Sequence, residues 1–140
     1  MVRRLIGIGN PDRGDDAAGW FVAEAVDSWA VSQFVAGSFD MVDVWDAEDD
    51  VVMVDAMRSD APVGEVRRFD ALVEPLPVGA FTSTHAFGPA AVVELARVMG
   101  RMPRSLVVFG IEAGDTTHGA SLSPTVAEAT ALLARELQNA

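Results

Sequence analysis

Two adjacent carboxylates follow the first apolar segment of this chain. The segment from Val2 to Ile8 has the composition of a buried strand, and a turn rich in glycine leads from it to Asp15 and Asp16. In open α/β sheets, ligands bind where the strands end, and loops of this kind usually hold phosphate through free N–H groups. Two carboxylates would repel a phosphate and attract a cation. The loop therefore predicts a metal ion or proton chemistry.

Two further side chains suit the same chemistry. Asp55 ends the most apolar run of the chain, Val51 to Ala56, so its carboxylate should emerge at the same sheet edge as Asp16. His85 directly precedes a predicted helix, which returns it to that edge. Two carboxylates and one imidazole can bind a divalent metal with positions left open, or act as general acid and base. We therefore predict that Asp16, Asp55 and His85 are metal ligands and catalytic residues of one site.

Each of these residues also has a structural interpretation. Asp16 could complement a helix dipole within the first turn. Asp55 could cap a turn or a helix after its strand, and a solitary histidine in a loop such as His85 is more often structural than catalytic. The convergence of all three on one sheet edge favours the functional interpretation.

Composition excludes several classes of protein. The chain has 140 residues and a formal net charge of −11, and its ten basic residues are all arginine. The lack of lysine excludes Walker-type phosphate loops and Schiff-base chemistry, and the lack of cysteine excludes thiol nucleophiles, thiolate zinc sites and disulfides. The acidic balance argues against nucleic-acid and membrane partners, and through self-repulsion it favours a monomer. With no apolar stretch long enough to span a bilayer, we expect a cytoplasmic protein.

The order of apolar segments predicts the fold. Strands alternate with helices, which indicates a three-layer α/β/α sandwich around a mostly parallel sheet, with one antiparallel edge strand. Residues 1–140 are expected to form a single domain. A helix is expected from Asp15, as its cap, to about Ser28. The other predicted elements are strands at Val31–Ala36, Val51–Ala56, Gly64–Phe69 (the edge strand) and Leu106–Phe109, and helices at Phe87–Met99 and from Pro124 onward.

With these residues in hand, the chain resembles the hydrogenase maturation proteases. The resemblance covers nearly the whole chain and implies a small cytoplasmic endopeptidase that trims the C-terminal extension of a nickel–iron hydrogenase large subunit after nickel insertion. In that family, residues at the positions of Asp16, Asp55 and His85 form the metal-binding and functional site. The matching segments are Gly7-Ile8-Gly9-Asn10, Arg13 to Gly19, Val54-Asp55-Ala56, Ser83-Thr84-His85, Val108 to Glu112 and Leu122 to Val126.

The resemblance further implies that nickel in the substrate is the recognition signal. The metal would arrive with the nickel-loaded large-subunit precursor, so the chain would not hold nickel permanently. Two carboxylates and a neutral imidazole can complete the coordination of a metal that the substrate's thiolates already hold. The sequence leaves open whether the metal polarises the attacking water or a carboxylate acts as general base; we favour a water activated by an aspartate.

Two other functions fit parts of the sequence. The segment from Gly7 to Pro11 is similar to the opening of the peptidyl-tRNA hydrolases, but a lysine-free chain of net charge −11 is poorly suited to holding RNA. A non-catalytic nickel-sensing chaperone module that grips the nickel-loaded precursor would use the same three ligands. Cleavage of the precursor distinguishes a protease from such a module.

Overall fold

One five-stranded sheet organises the chain, with the strand order β2-β1-β3-β5-β4. The computed structural model describes residues 1–77, 79–82 and 88–140. All neighbouring strands of the sheet pair in parallel except β4 and β5, which are antiparallel. No helix in this described part of the chain is long and apolar enough to cross a membrane. The elements are β1 (Arg3–Ile8), a 3-10 helix (Gly14–Ala17), α1 (Ala18–Glu24), β2 (Ala30–Phe34), a second 3-10 helix (Phe39–Asp43), β3 (Asp50–Met57), β4 (Val66–Asp70), α2 (Pro89–Val98), β5 (Ser105–Glu112) and α3 (Pro124–Gln138).

Helices cover both faces of the sheet and give the predicted three layers. One core cluster joins α1 and α3 to alternate residues of the sheet, among them Val52 and Val54 of β3. The other joins α2 and the second 3-10 helix to the opposite face, among them Val51 and Met53. Successive side chains of a strand point to opposite faces, so β3 is apolar at nearly every position because both of its faces are covered. The three-layer sandwich with an antiparallel edge strand is confirmed.

Glycine allows α1 to lie directly against the sheet. A Cβ atom on Gly19 would stand 2.1 Å from the carbonyl oxygen of Val54 and 2.4 Å from that of Ile8, so only glycine fits at this crossing. Gly9 has a φ of +155° and passes equally close to the backbone, because its Cβ would lie 2.1 Å from the carbonyl oxygen of Asp16. These contacts bring the turn that carries Asp16 tightly over the end of β1.

Two of the observed strands, β3 and β5, run further than the sequence patterns indicated, whereas β2 ends two residues before its predicted end at Ala36. β3 continues through Met57, beyond the predicted end at Ala56, and β5 continues through Glu112, beyond the predicted end at Phe109. The two strands extend together, since their pairing runs unbroken from Asp50 opposite Ser105 to Met57 opposite Glu112. Backbone hydrogen bonds between β3 and β5 therefore extend both strands beyond the ends of their apolar runs. The helix expected to reach Ser28 is shorter, because α1 ends at Glu24.

A buried carboxylate ties together the edge of the sheet at which the parallel strands begin. Asp49 is 2% exposed, and its side chain accepts hydrogen bonds from the Nε of Arg4 (2.7 Å) and from the backbone N–H groups of Val2 (3.0 Å) and Asp46 (2.9 Å). Its carbonyl oxygen accepts one from the backbone N–H of Arg104 at 3.0 Å. The hydrogen bond from Arg4, followed by those from the backbone, lowers the pKa of the Asp49 carboxyl from 3.8 to about 2.

This pKa predicts a specific loss of stability in acid. A carboxyl whose pKa is lower in the folded than in the unfolded chain contributes stability that is fully present above the unfolded value and is lost as the pH falls through the folded value. The contribution of Asp49 should therefore disappear between about pH 4 and about pH 2. Urea unfolding across this range should show a shallower loss of stability for Asp49→Asn, which starts from a lower stability at pH 7. Asp43→Asn, at an exposed carboxylate, is the control. Equal pH dependence in wild type and Asp49→Asn would contradict the assignment.

Candidate functional site

The first loop directs Asp16 into a cleft at the edge where the parallel strands end. Asp16 belongs to the 3-10 helix Gly14–Ala17 and is 7% exposed. One carboxylate oxygen accepts a hydrogen bond from the hydroxyl of Thr82 at 2.6 Å, and the other accepts one from the backbone N–H of Asn10 at 3.3 Å. A carboxylate has about four lone-pair positions, so the two hydrogen bonds orient Asp16 and leave acceptor capacity facing the cleft.

The neighbouring carboxylate has a structural role. Asp15 is fully buried and accepts hydrogen bonds from the backbone N–H of Gly114 (2.8 Å), the backbone N–H of Ser123 (2.6 Å) and the Ser123 hydroxyl (2.6 Å). It does not cap a helix by a side-chain hydrogen bond, so the expectation that it caps the following helix is wrong. The three donors lie on distant parts of the chain, which a cap prediction from local sequence cannot include. The two adjacent carboxylates therefore have different roles: Asp15 stabilises the fold, and Asp16 lies on the cleft.

Asp55 lies inside β3, close to the same edge of the sheet. Gly7 of β1 pairs with Val54, so β1 ends at the level of Asp55, and β3 continues for two residues beyond it. The expectation that Asp55 ends its strand is wrong in this detail, and its alternative role as a cap after the strand does not apply. The side chain is fully buried, and one of its oxygens accepts a hydrogen bond from the backbone N–H of Ala56 at 2.8 Å. Strand alternation places it on the face of Met53 and Met57, which is the α2 face.

A short segment connects the end of β3 to Asp16. Phe81 forms an isolated antiparallel bridge with Met57, and the backbone N–H of Thr82 donates to the carbonyl oxygen of Ala56 at 3.0 Å. β5 occupies one side of β3 as far as Met57, so this segment takes the other side, where β1 has already ended. The backbone thus fixes Thr82 beside β3, and its hydroxyl bonds to Asp16. Asp16 is linked in this way to the residue next to Asp55.

The cleft has room for a peptide segment and contains both signs of charge. Its volume is about 520 Å³. Asp16 and Thr82 lie on it together with two arginines, Arg13 and Arg58. The remaining lining residues are Asn10, Val35, Ala36, Gly79, Ala80, Phe81 and Thr116. An opening of this size at the ends of parallel strands is the usual place for a ligand in an open α/β sheet.

His85 lies outside the described residues, which stop at Thr82 before it and resume at Gly88. Within the described ranges, no group of three histidine, aspartate or glutamate side chains is close enough to hold a metal ion. The structure therefore brings Asp16 and Asp55 to one edge of the sheet, and the three-residue site remains a prediction. The other histidine, His118, is exposed in the loop before α3.

Comparison with known proteins identifies the family. The model of the HycI family, described as hydrogenase maturation protease, matches residues 34–140. The chain belongs to the hydrogenase maturation protease family. The match covers well over half of the sequence, and it confirms the resemblance drawn from the motifs. A sequence search of curated proteins gives no match.

Solved structures of maturation proteases share the fold over almost the entire chain. The HybD maturation protease of Thermococcus kodakarensis superposes with a TM-score of 0.77 at 23% identity and covers 99% of this chain and 98% of its own. The HybD endopeptidase of E. coli gives a TM-score of 0.78 at 19% identity, with 98% and 90% covered. HycI of T. kodakarensis gives 0.71 at 26% identity, with 99% and 90% covered. The likeness extends over the loop that carries Asp16, which precedes the segment that the family model matches.

Sequence reasoning missed the residues that surround Asp16. The sequence patterns did not assign Thr82, Arg13, Arg58 or Thr116 to the site. They come from four separate loops, and no local spacing relates them. Asn10 stabilises the turn of this loop, because its side-chain oxygen accepts a hydrogen bond from the backbone N–H of Asp12 at 2.9 Å.

The different roles of Asp15 and Asp16 can be tested by measuring the free energy of unfolding of variants at each position. Asp15→Asn should lower the free energy of unfolding by about 3 kcal/mol, because an amide places its own donors against the N–H and hydroxyl groups that the carboxylate accepts from. Asp16→Asn should cost about 1 kcal/mol or less, since the amide oxygen can still accept from Thr82. Urea denaturation measures both, with Asp12→Asn in the same loop as control. Equal losses for Asp15→Asn and Asp16→Asn would refute this difference in roles.

Proposed function

We propose that this chain is an endopeptidase that removes the C-terminal extension of a nickel–iron hydrogenase large-subunit precursor once nickel has been inserted. Family membership supports the reaction class, because this is a family of peptidases. The observation that carries the site is Asp16, which is almost fully buried yet lies on a cleft of about 520 Å³ with its carboxylate held from both sides.

The proposed site consists of Asp16, Asp55 and His85. Asp16 offers oriented oxygen atoms to the cleft, and Asp55 is the other carboxylate at this edge of the sheet. His85 follows Thr82 by three residues in the sequence, and the Thr82 hydroxyl already bonds to Asp16. Carboxylates and a neutral imidazole are suitable ligands for a divalent first-row metal. The donor types therefore fit the group that the family resemblance implies.

Nickel enters this proposal as part of the substrate. Oxygen and imidazole ligands bind the ion less firmly than a full set that includes thiolates, so the chain by itself would hold free nickel weakly. A precursor that already carries nickel on its own thiolates would supply the missing ligands. This arrangement would couple cleavage to completed insertion, since a precursor without nickel lacks the atom that the site recognises.

We further propose that an aspartate activates the attacking water. A carboxylate within hydrogen-bond reach of the water can accept its proton as the water oxygen attacks the peptide carbonyl, and can return that proton to the leaving amine as the peptide C–N bond breaks. Asp16 has the required access, because it lies on the cleft, and its two hydrogen bonds hold it in one orientation. A metal ion beside the scissile bond would polarise the carbonyl oxygen.

Processing of a nickel-loaded precursor tests the site. Asp16→Asn, Asp55→Asn and His85→Gln should each abolish the mass loss at the precursor's C-terminus, because each removes a ligand or base. Mass spectrometry of the precursor measures the loss, and circular dichroism establishes that each variant is folded. The matched controls are Asp12→Asn for the loop and His118→Gln for the other histidine, and both should process normally.

The same assay separates the competing functions. Wild-type cleavage that requires nickel in the precursor supports the proposed peptidase. Binding of the nickel-loaded precursor without any mass loss would instead support a non-catalytic module. Full activity in folded Asp16→Asn, Asp55→Asn and His85→Gln would reject the proposed site.

A further inference from the structure

Two arginines of the cleft are held in place without a partner carboxylate among the described residues. Four other arginines form ion pairs there, at Asp49, Glu94, Asp43 and Asp50. Arg13 and Arg58 form none with the described residues, although the chain carries a formal net charge of −11. Six of the ten arginines form no ion pair with the described residues, and two of these six, Arg13 and Arg58, lie on the same cleft.

One residue anchors both guanidinium groups. The backbone carbonyl oxygen of Thr116 accepts a hydrogen bond from the Nε of Arg13 at 3.4 Å, and the Thr116 hydroxyl accepts one from an Nη of Arg58 at 2.7 Å. The same Nη of Arg58 donates to the carbonyl oxygen of Gly114 at 3.0 Å. All of these acceptors are neutral. The anchors position the arginines on the cleft without neutralising them.

Most of the donor capacity of the two arginines remains. A guanidinium carries five N–H donors in a planar fork. Arg13 uses only its Nε among the described residues, and Arg58 uses only one terminal nitrogen. Asp115 is the carboxylate that responds to Arg58, which contributes to lowering the pKa of Asp115 after the larger effect of hydrogen bonds from Thr117. It nevertheless lies beyond ion-pair distance of Arg58.

We propose that Arg13 and Arg58 form a subsite that binds a carboxylate group of the precursor chain beside Asp16. Paired N–H donors of arginine match the two oxygens of a carboxylate, and such charge-assisted hydrogen bonds are stronger than neutral ones. The subsite would hold the peptide in register while Asp16 faces the scissile bond, so Arg13 and Arg58 are positioning residues. This inference rests on the proposed function, because it assigns the anion to the substrate of that site.

The carboxylate could be the free C-terminus of the precursor or an acidic side chain in it. Three acetylated tripeptides distinguish these sources: one of alanine with a free C-terminus, the same peptide amidated, and an amidated peptide with a central aspartate. Each is titrated into the wild-type protein while the arginine Nε–Hε resonances are followed by NMR. Saturable shifts at Arg13 and Arg58 with a carboxylate peptide, but not with the neutral one, support the subsite and identify its source. Equal shifts at the exposed Arg68 of β4, or none at all, would overturn it.

Kinetics then separate this subsite from the chemistry. Arg13→Gln and Arg58→Gln should each raise KM for precursor cleavage about tenfold, as expected for the loss of one charge-assisted contact. Their kcat should stay within about twofold of wild type, because the contact forms equally in the ground and transition states. Thr116→Ala should reproduce part of the Arg58→Gln effect, since it removes a side-chain acceptor of Arg58 and keeps the backbone acceptor of Arg13. Arg68→Gln is the matched control and should leave both constants unchanged.

The two tests keep the proposals distinguishable. The peptide titration requires no cleavage, so it reports on the subsite even if the chain proves not to be a peptidase. An unchanged KM in folded Arg13→Gln and Arg58→Gln, with normal cleavage by the wild type, would refute the subsite and leave the proposed function standing. Loss of kcat with unchanged KM would also refute it, because that result would place the arginines in the chemical step.

Discussion

The cleft depends on the buried carboxylate of Asp15. It accepts hydrogen bonds from Gly114 and Ser123, and so joins the loop after β1 to both ends of the segment between β5 and α3. Backbone hydrogen bonds reinforce the join, from Asp15 to Asp115 and from Gly14 to Ala120. One wall of the cleft is built on that segment, and Asp16 is the next residue along the chain. The position of the Asp16 side chain relative to that wall is therefore set by the contacts of Asp15.

The polar groups at the two ends of the parallel strands differ in how fully they are hydrogen-bonded within the protein. At the edge where the parallel strands begin, the Asp49 carboxylate accepts hydrogen bonds from two backbone N–H groups and from Arg4, and these contacts stabilise the fold. At the opposite edge, Asp16 keeps acceptor capacity facing a cleft, and Arg13 and Arg58 keep unused donors there. Polar groups with unused capacity cost stability when they are removed from water. They are tolerated here because the cleft is open to solvent and the rest of the fold is well packed.

The motifs of the sequence were sufficient for the family and the fold. The apolar run Val51–Ala56 predicted a strand that proves to lie in the centre of the sheet, and the segment Gly64–Phe69 was correctly predicted as the edge strand. Patterns of this kind depend on which side chains must leave water, and the sequence shows that directly. The apolar pattern predicted the ends of the strands less accurately, because the extension of β3 to Met57 depends on hydrogen bonds to β5.

The sequence by itself determined that two carboxylates would lie together in the loop after β1, and that Asp55 would approach the same edge of the sheet. It assigned Asp16 to the predicted site, but it gave Asp15 the wrong role, that of a helix cap. Only the tertiary structure decided that Asp15 is buried against Gly114 and Ser123 while Asp16 lies on the cleft. The tertiary structure likewise decided that Arg13 and Arg58 share an anchor at Thr116. The physical reason is that these partners are about a hundred residues or about sixty residues apart, so folding of the whole chain is needed to supply the hydrogen bonds that distinguish one residue from its neighbour.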